Sequence, residues 1–404
     1  MHLFNSLKQR SFALLWSGQS VSRLGDALYR IGLSWWVLEE TGSAAIMGTV
    51  LIFSFVPMLL FVLIGGITVD RFSRIRLMIT SDLLRGLVVM LAAFLAFQGS
   101  LQVWHFFALS IIFGFVEAFF QPAYTALMPV IVPAEDLPSA NSLKNLGLQL
   151  AGIIGPVLGA TLISLGGTSL VFLLDGLSFF FSAALLVPLL KKVSEKHFKS
   201  VKRINAWQNL RDGLKIVRDI PWIWVTIALF SVANIFLSGP NNVALPFYVS
   251  DVLGRDVNVL GWLTSAASIG ALLGTTYLGR LKRLRRRGWL AYGAFLLTGL
   301  MYACLGLFPL VIPAILFVFV SGVALACLDL AWVTSLQEMV PNDKLGRVSS
   351  IDMLGSFMLL PFGFGIAGWA TDLIGPAAVF AIGGAVSMFL AGLGMLHPGV
   401  RNLD

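Results

Sequence analysis

Long apolar runs separated by short polar turns follow one another along the whole chain. Twelve such runs lie at roughly residues 12–38, 44–67, 77–98, 102–126, 143–166, 169–190, 222–249, 258–279, 289–308, 311–336, 348–371 and 376–396. Most have the ~20 residues that a helix needs to cross the hydrocarbon core of a bilayer. Because the apolar residues are continuous and do not alternate, they indicate helices and not the strands of a barrel. The pattern predicts an all-α membrane protein with twelve transmembrane helices.

The composition excludes a soluble globular domain. Of the 404 residues, 57% are hydrophobic and 12% are charged, and the mean hydropathy is +0.88. Soluble chains carry about 25% charged residues. The net charge of +8 is explained by basic turns that set membrane topology, so no nucleic-acid partner is expected. Cys304 and Cys327 lie inside apolar runs and offer neither a disulfide framework nor a metal site.

Basic residues are concentrated in alternate turns. The turns near residues 40, 99, 167, 255, 309 and 373 contain a single Lys or Arg, Arg255, whereas the opposite set of turns and both chain ends are rich in them. Lys and Arg are retained on the cytoplasmic side during insertion. The sequence therefore predicts a multi-pass protein of the inner or plasma membrane with both termini in the cytoplasm.

The longest connection divides the chain into two similar halves. Residues 1–190 form a predicted N-terminal six-helix bundle, residues 191–221 a linker with a basic amphipathic helix on the inner leaflet, and residues 222–404 a C-terminal six-helix bundle. Gly48 and Gly66 match Gly261 and Gly279 at one constant offset, which supports a duplication. Two repeats joined by a cytoplasmic loop suit a transporter in which one half rocks against the other.

Two short motifs carry a resemblance to a known family. Between the second and third runs, a tight charged turn contains Gly66, Asp70, Arg71 and Arg74, and Asp70 is the residue that topology alone would not require. The fifth run contains Gly152, Gly155, Pro156 and Gly159. On these motifs the chain resembles the major facilitator superfamily and, within it, the drug/proton antiporters.

Four further phrases narrow the resemblance to the bacterial macrolide-efflux and enterobactin-exporter branch. They lie at Leu15–Asp26, Asp82–Arg85, Ala140–Leu143 and Gly346–Ser350. The resemblance implies alternating access, a central cavity lined by the first, fourth, seventh and tenth helices, and a gate formed by the charged turn. In that gate, Asp70 would meet the positive N-terminus of the eleventh helix.

The first membrane helix carries a polar stripe. Six residues fall within a third of its circumference: Gln19, Ser22, Arg23, Asp26, Tyr29 and Arg30. Charges at this depth cost several kcal/mol unless they face a partner or water, so the stripe faces inward. Asp26 either takes up and releases a proton beside Arg23 or Arg30, or it forms a permanent ion pair with one of them.

The fourth helix carries a second carboxylate. Glu117, Gln121 and Tyr124 share one face, and Glu117 has no basic partner within its own helix. That makes it a second proton-coupling candidate. The alternative is a cross-helix ion pair with Arg23, Arg30 or Arg85. Asp82 and Arg85, three residues apart in the third helix, are interpreted as a local structural pair, and Asp175 as structural.

The C-terminal half contributes the remaining cavity candidates. Asn234, Asn241 and Asn242 share one face of the seventh helix, which Gly239–Pro240 is predicted to interrupt. The amides line the substrate site or, alternatively, tie neighbouring helices together. The tenth helix adds Asp329 and Trp332.

The most specific hypothesis is proton-driven export of an amphipathic small molecule, such as a macrolide-like drug, a xenobiotic or a siderophore. The alternative within transporters is a lipid or lysolipid flippase, or an importer. A receptor or scaffold would need neither the gate motif nor the polar stripes, and no metal-ligand or nucleophile motif indicates an enzyme. The expected partners are substrate, protons and the bilayer; no cofactor is expected, and the protein is expected to be a monomer.

Overall fold

The computed structural model describes residues 4–69, 71–191, 206–280 and 286–401. These residues are almost entirely helical and contain no strand, which confirms the all-α prediction. The chain divides into two units, one of Met1–Thr41 with Thr49–Val201 and one of Gly42–Gly48 with Lys202–Asp404. Compared with the predicted halves, the short stretch Gly42–Gly48 groups with the second unit.

Five α-helices are described in the first unit, apart from the first turn of the second helix, which groups with the second unit. They are α1 (Arg10–Thr41), α2 (Ala44–Val69), α3 (Arg74–Phe97), α4 (Val103–Ile131) and α5 (Leu137–Leu186). Helix α5 is long enough to cross a membrane twice, and Gly167 has a φ of 73° in its interior. That left-handed backbone conformation is open to glycine at little cost. It separates α5 into the predicted fifth and sixth spans.

The second unit begins with α6 (Ala206–Asp219) and α7 (Pro221–Gly239), which π-helical turns and the short α8 (Leu245–Phe247) extend to Val252. The other helices are α9 (Val257–Leu278), α10 (Arg287–Leu307), α11 (Val311–Met339), α12 (Asn342–Met358), α13 (Leu360–Ile374), α14 (Pro376–Leu396) and α15 (Pro398–Arg401). In the parts of the chain that are described, ten helical segments are long and apolar enough to cross a membrane. The predicted number of twelve spans is reached when α5 is counted as two spans and α1, which carries the polar stripe, is counted as a further one.

The predicted interruption at Gly239–Pro240 is a change of helix type and not a gap, because α7 ends at Gly239 and a π-helical turn begins at Pro240. The helix continues through Pro240–Ala244 and Tyr248–Val252 as π-helical turns, so Pro221–Val252 is one continuous span. Proline has no N–H to donate and its ring crowds the preceding turn. Widening of the helix at this point accommodates both effects without ending it.

Close contact between α1 and α5 shapes the first unit. A Cβ atom built on Gly155 would lie 2.4 Å from the Cβ of Ala27, and one on Gly159 would lie 3.3 Å from the Cα of Leu28. Both glycines belong to the motif with Gly152 and Pro156, so in this structure the motif serves helix packing. Small residues at such positions let two helix backbones approach closely.

The linker helix α6 packs on α12. A Cβ atom on Gly213 would lie 3.0 Å from the carbonyl oxygen of Arg347, and Val217 is buried with Ile223 and Val348. Leu214 remains exposed. Part of the apolar face of this amphipathic helix is therefore used for packing within the protein.

Candidate functional site

Arg85 lies at the centre of a buried ion network in the first unit. Its Nη2 atom is 2.5 Å from Oδ1 of Asp82, and its Nη1 atom is 2.7 Å from Oε2 of Glu117 on α4. Ser182 donates a hydrogen bond of 2.8 Å to Oδ2 of Asp82, and Gln19 donates one of 2.9 Å to Ser182. The network thus joins α1, α3, α4 and α5.

Aromatic rings enclose the guanidinium group of Arg85. Its Cζ atom lies 4.0 Å from the ring centroid of Phe120, 4.6 Å from that of Phe179 and 5.9 Å from that of Phe113. Arg85 is 3% exposed and Asp82 is fully buried. Desolvated cation–π contacts add to the ion pairs and hold the guanidinium group in one orientation.

Glu117, the second proton-coupling candidate, has a basic partner on another helix. Besides its ion pair with Arg85, it accepts a hydrogen bond of 2.6 Å from Nε2 of Gln121. The cross-helix pair given as the alternative is the arrangement present. The i, i+3 contact of Asp82 with Arg85 is also present, but it belongs to a four-helix network and is more than a local brace.

Asp26 has no ion-pair partner within 4 Å among the described residues. Arg23 and Arg30 both lie within electrostatic range, as do Arg85 and Glu117. Spacing alone permits a pair between Asp26 and either arginine of α1, but Arg23 lines a separate pocket and Arg30 is exposed. A permanent pair within α1 is therefore not formed. Ser22 is buried beside this stretch, and Tyr29 stacks on Phe113 with ring centroids 6.2 Å apart.

Asp175 is a residue whose role the sequence did not reveal. It is fully buried on α5, and its Oδ2 atom has no hydrogen-bond partner among the described residues. A Cβ atom on Gly25 would lie 2.4 Å from Oδ1 of Asp175, so this carboxyl group lies against the α1 backbone one residue before Asp26. The two carboxyl groups lie within electrostatic range of each other.

The amides of α7 make contacts that hold helices together. Nδ2 of Asn234 donates a hydrogen bond of 2.9 Å to the carbonyl oxygen of Ser356, and Ser231 donates one of 2.5 Å to that of Gly355. Both acceptors belong to α12. Asn241 and Asn242 are exposed, and Asn242 donates to Ser238 of its own helix. For Asn234 the structure therefore shows the interhelical role that was the alternative to substrate binding.

The acids of α11 and α12 form a smaller polar group. The indole N–H of Trp332 donates a hydrogen bond of 3.0 Å to Oδ2 of Asp352, and Ser356 donates one of 3.4 Å to Oδ1. Asp329 is exposed and lies within electrostatic range of Asp352. Sequence spacing does not connect Asp352 with Trp332, because the two residues lie on different helices, α12 and α11.

Most of the predicted gate motif is described, but Asp70 lies outside the described residues. Arg71 is exposed in the turn, and Arg74 is the first residue of α3. Ser73 caps α3, because its side chain accepts a hydrogen bond from the backbone N–H of Arg76. A Cβ atom on Gly66 would meet no atom within 4 Å.

The ten membrane-length helical segments of the described residues make this a multi-pass membrane protein. The chain belongs to the family described as transmembrane secretion effector, a family of major facilitator transporters, whose model matches residues 2–325.

Named relatives extend over the whole chain. Macrolide efflux protein A of Streptococcus pyogenes is 25% identical over 413 residues and covers 100% of both chains. The multidrug efflux pump Tap of Mycolicibacterium fortuitum is 25% identical over 94% of both chains. These relatives support the class of drug-efflux transporters.

Solved structures share the fold. A bacterial homologue of the human lysosomal transporter Spinster, in an inward-facing and unoccupied conformation, aligns with a TM-score of 0.71 at 15% identity over 97% of both chains. The nucleoside transporter NupG aligns with a TM-score of 0.72 at 15% identity, covering 95% of this chain and 98% of its own.

Proposed function

We propose that the protein exports amphipathic small molecules across the cytoplasmic membrane in exchange for protons, by alternating access and with both termini in the cytoplasm. The relatives named for macrolide and multidrug efflux support the class of cargo. The charge balance of the buried network in the first unit supports the proton as the driving ion.

The observation that carries this proposal is an excess of carboxyl groups. Asp26, Asp82, Glu117 and Asp175 surround Arg85, the one guanidinium group that contacts any of them among the described residues. Even when Arg23 and Arg30 are included, four acids face three cations. An uncompensated charge in a buried site costs several kcal/mol. The cluster becomes neutral when it holds one proton.

The contacts divide these acids into two classes. Asp82 and Glu117 are held by Arg85 and by neighbouring donors, so we assign them a positioning role. Asp26 and Asp175 make no contact with a cation, and we assign the exchangeable proton to them. Asp26 is partly exposed and would exchange the proton with water, whereas Asp175 is its fully buried neighbour. Protonation would then change which conformation of the transporter is favoured.

The test uses purified protein in liposomes with an imposed pH gradient and a panel of a fluorescent cationic dye, a macrolide and a catechol siderophore. Wild type is compared with Asp26→Asn, Asp175→Asn and Glu117→Gln. The matched control is Glu40→Gln, which neutralises an exposed carboxylate on the same helix as Asp26. We expect gradient-dependent movement in wild type and the control, and gradient-independent movement in Asp26→Asn and Asp175→Asn.

Retention of full coupling in both aspartate variants would contradict the assignment. If wild type moved lipid or lysolipid independently of the pH gradient, that result would contradict proton exchange itself and favour the flippase alternative.

A further inference from the structure

We propose that a pocket between α1, α4 and α5 binds the phosphate group of an anionic membrane lipid. The pocket lies within the first unit. Its walls include Trp16, Gln19, Arg23, Tyr124, Lys144 and Leu148. It combines two cations, two aromatic rings and an apolar edge.

The two cations of the pocket have no acidic partner there. No carboxylate lines the pocket, and neither Arg23 nor Lys144 forms an ion pair within 4 Å with any residue that the structure describes. The two side chains lie close enough to repel each other. An anion between them would remove that repulsion and gain charge-assisted hydrogen bonds from both.

The walls that position these cations are held in place by contacts of their own. Nζ of Lys144 lies 5.2 Å from the ring centroid of Tyr124, and Tyr124 is 3% exposed. The indole N–H of Trp16 donates a hydrogen bond of 2.9 Å to the carbonyl oxygen of Leu143. Gln19 is held by Ser182. A preformed site loses less conformational entropy when the ligand binds.

The surroundings favour a lipid over a free anion. Leu148 lines the pocket one turn after Lys144 and is 38% exposed, so the pocket has an apolar edge against which an acyl chain would lie. Lys144 lies about two turns from the start of α5, the end that the sequence predicts to be cytoplasmic. Basic pockets between membrane helices on that side bind anionic headgroups.

The anion differs from the exported cargo in how its binding depends on the proton of Asp26. This step rests on the proposed function. Arg23 also interacts with Asp26, so an anion in the pocket and ionised Asp26 compete for the same guanidinium group. Anion binding in the pocket would therefore be favoured when Asp26 is protonated. In an exchanger, by contrast, cargo and proton bind in different steps of the cycle. The pocket therefore suits a lipid that stays bound and not the cargo.

The test measures thermal unfolding of the full chain in nanodiscs, without any gradient or transport. Discs of phosphatidylcholine are compared with discs that also contain phosphatidylglycerol, and inorganic phosphate is added to the first kind in a third arm. The variants are Lys144→Gln, Lys144→Arg and Arg23→Gln. Lys191→Gln, which removes a cation from the end of the same helical segment, is the matched control.

We expect phosphatidylglycerol to raise the Tm of wild type, Lys144→Arg and the control by about 2–4 °C. Lys144→Gln and Arg23→Gln should lose this rise, and phosphate alone should produce none. An equal rise in the two Gln variants would overturn the proposal. A rise produced by phosphate alone, and lost in the same variants, would support the anion site but replace the lipid by a soluble anion.

Because unfolding is measured without transport, the two proposals fail separately. A lipid-dependent Tm rise in a protein that shows no gradient-driven transport would support the pocket while contradicting proton exchange.

Discussion

In the first unit, Arg85 of α3 contacts the carboxylates of Asp82 and Glu117, whereas in the second unit Ser231 and Asn234 of α7 donate hydrogen bonds to backbone carbonyls of α12. Both sets of groups join helices inside a membrane protein. One uses full charges that respond to protonation, and the other uses neutral donors that do not.

The difference shows that duplicated halves need not share chemistry. A hydroxyl or amide bonded to a carbonyl contributes a modest and pH-independent stabilisation. A buried cluster of acids and arginines is costly unless it is paired, and its charge changes with every proton that it binds. The proposed proton coupling would then belong to the first unit, whereas the contacts around α7 in the second unit serve structural cohesion. The following predictions test that division, in order of decreasing expected effect.

The largest expected effect is the loss of Arg85. Arg85→Met should leave Asp82 and Glu117 buried without a cation, which costs about 3–5 kcal/mol of folding free energy. We expect little folded protein, measured as monodisperse yield and Tm in detergent. Combining Arg85→Met with Asp82→Asn and Glu117→Gln should recover part of that loss, because no unpaired charge then remains.

The matched control is the ion pair of Arg287 with Glu338 in the second unit, where the Glu338 side chain is 56% exposed. Glu338→Gln should cost less than about 1 kcal/mol, because water reaches the Glu338 side of the pair and the amide oxygen can still accept a hydrogen bond from the buried Arg287. A loss equal to that of Arg85→Met would contradict the contrast between the units.

The second prediction compares carboxylates. Asp26→Asn should lower gradient-driven transport by about tenfold or more, within the range of typical coupling energies. Asp352→Asn should leave it nearly unchanged, because Asp352 accepts hydrogen bonds from Trp332 and Ser356 and an amide oxygen can still accept. Transport at a fixed pH gradient in liposomes measures both, and the opposite ranking would move coupling to the second unit.

The third prediction concerns the neutral donors. Asn234→Ala removes the hydrogen bond to Ser356 of α12 and should cost about 1 kcal/mol, visible as a Tm lower by a few degrees. Asn242→Ala removes an exposed bond within its own helix and should have a smaller effect. If the Tm difference between Asn234→Ala and wild type depended strongly on pH, the description of this contact as neutral would be wrong.

The smallest effect is expected at Asp372, a carboxylate of the second unit that acts only as an acceptor. It accepts hydrogen bonds of 2.7 Å from the backbone N–H of Ala44 and the hydroxyl of Ser43, and one of 3.1 Å from the N–H of Ala45. Asp372→Ala should cost up to about 1 kcal/mol, the usual value of a helix cap, and Asp372→Asn less. The control in the thermal unfolding experiment is Asp251→Ala, which removes an exposed carboxylate.

The class of fold follows from the amino-acid sequence alone. Lipid cannot satisfy open backbone groups, so continuous apolar runs of membrane length have to become helices, wherever they occur in the chain. The same reasoning identified Asp26 and Glu117 as polar groups that cannot face lipid. It located the interruption at Gly239–Pro240 but not its form, because local rules for proline do not show whether a helix ends or widens.

Which side chains meet depends on how the helices pack against one another. Glu117 lies 32 residues from Arg85, and Ser182 lies 100 residues from Asp82, so no periodicity connects them. The close contact of α1 with α5 places Asp175 beside Asp26, and helix packing places Lys144 with Arg23 in one pocket. A helical repeat relates residues three or four positions apart on one helix, whereas the energy of a buried charge depends on neighbours from other helices.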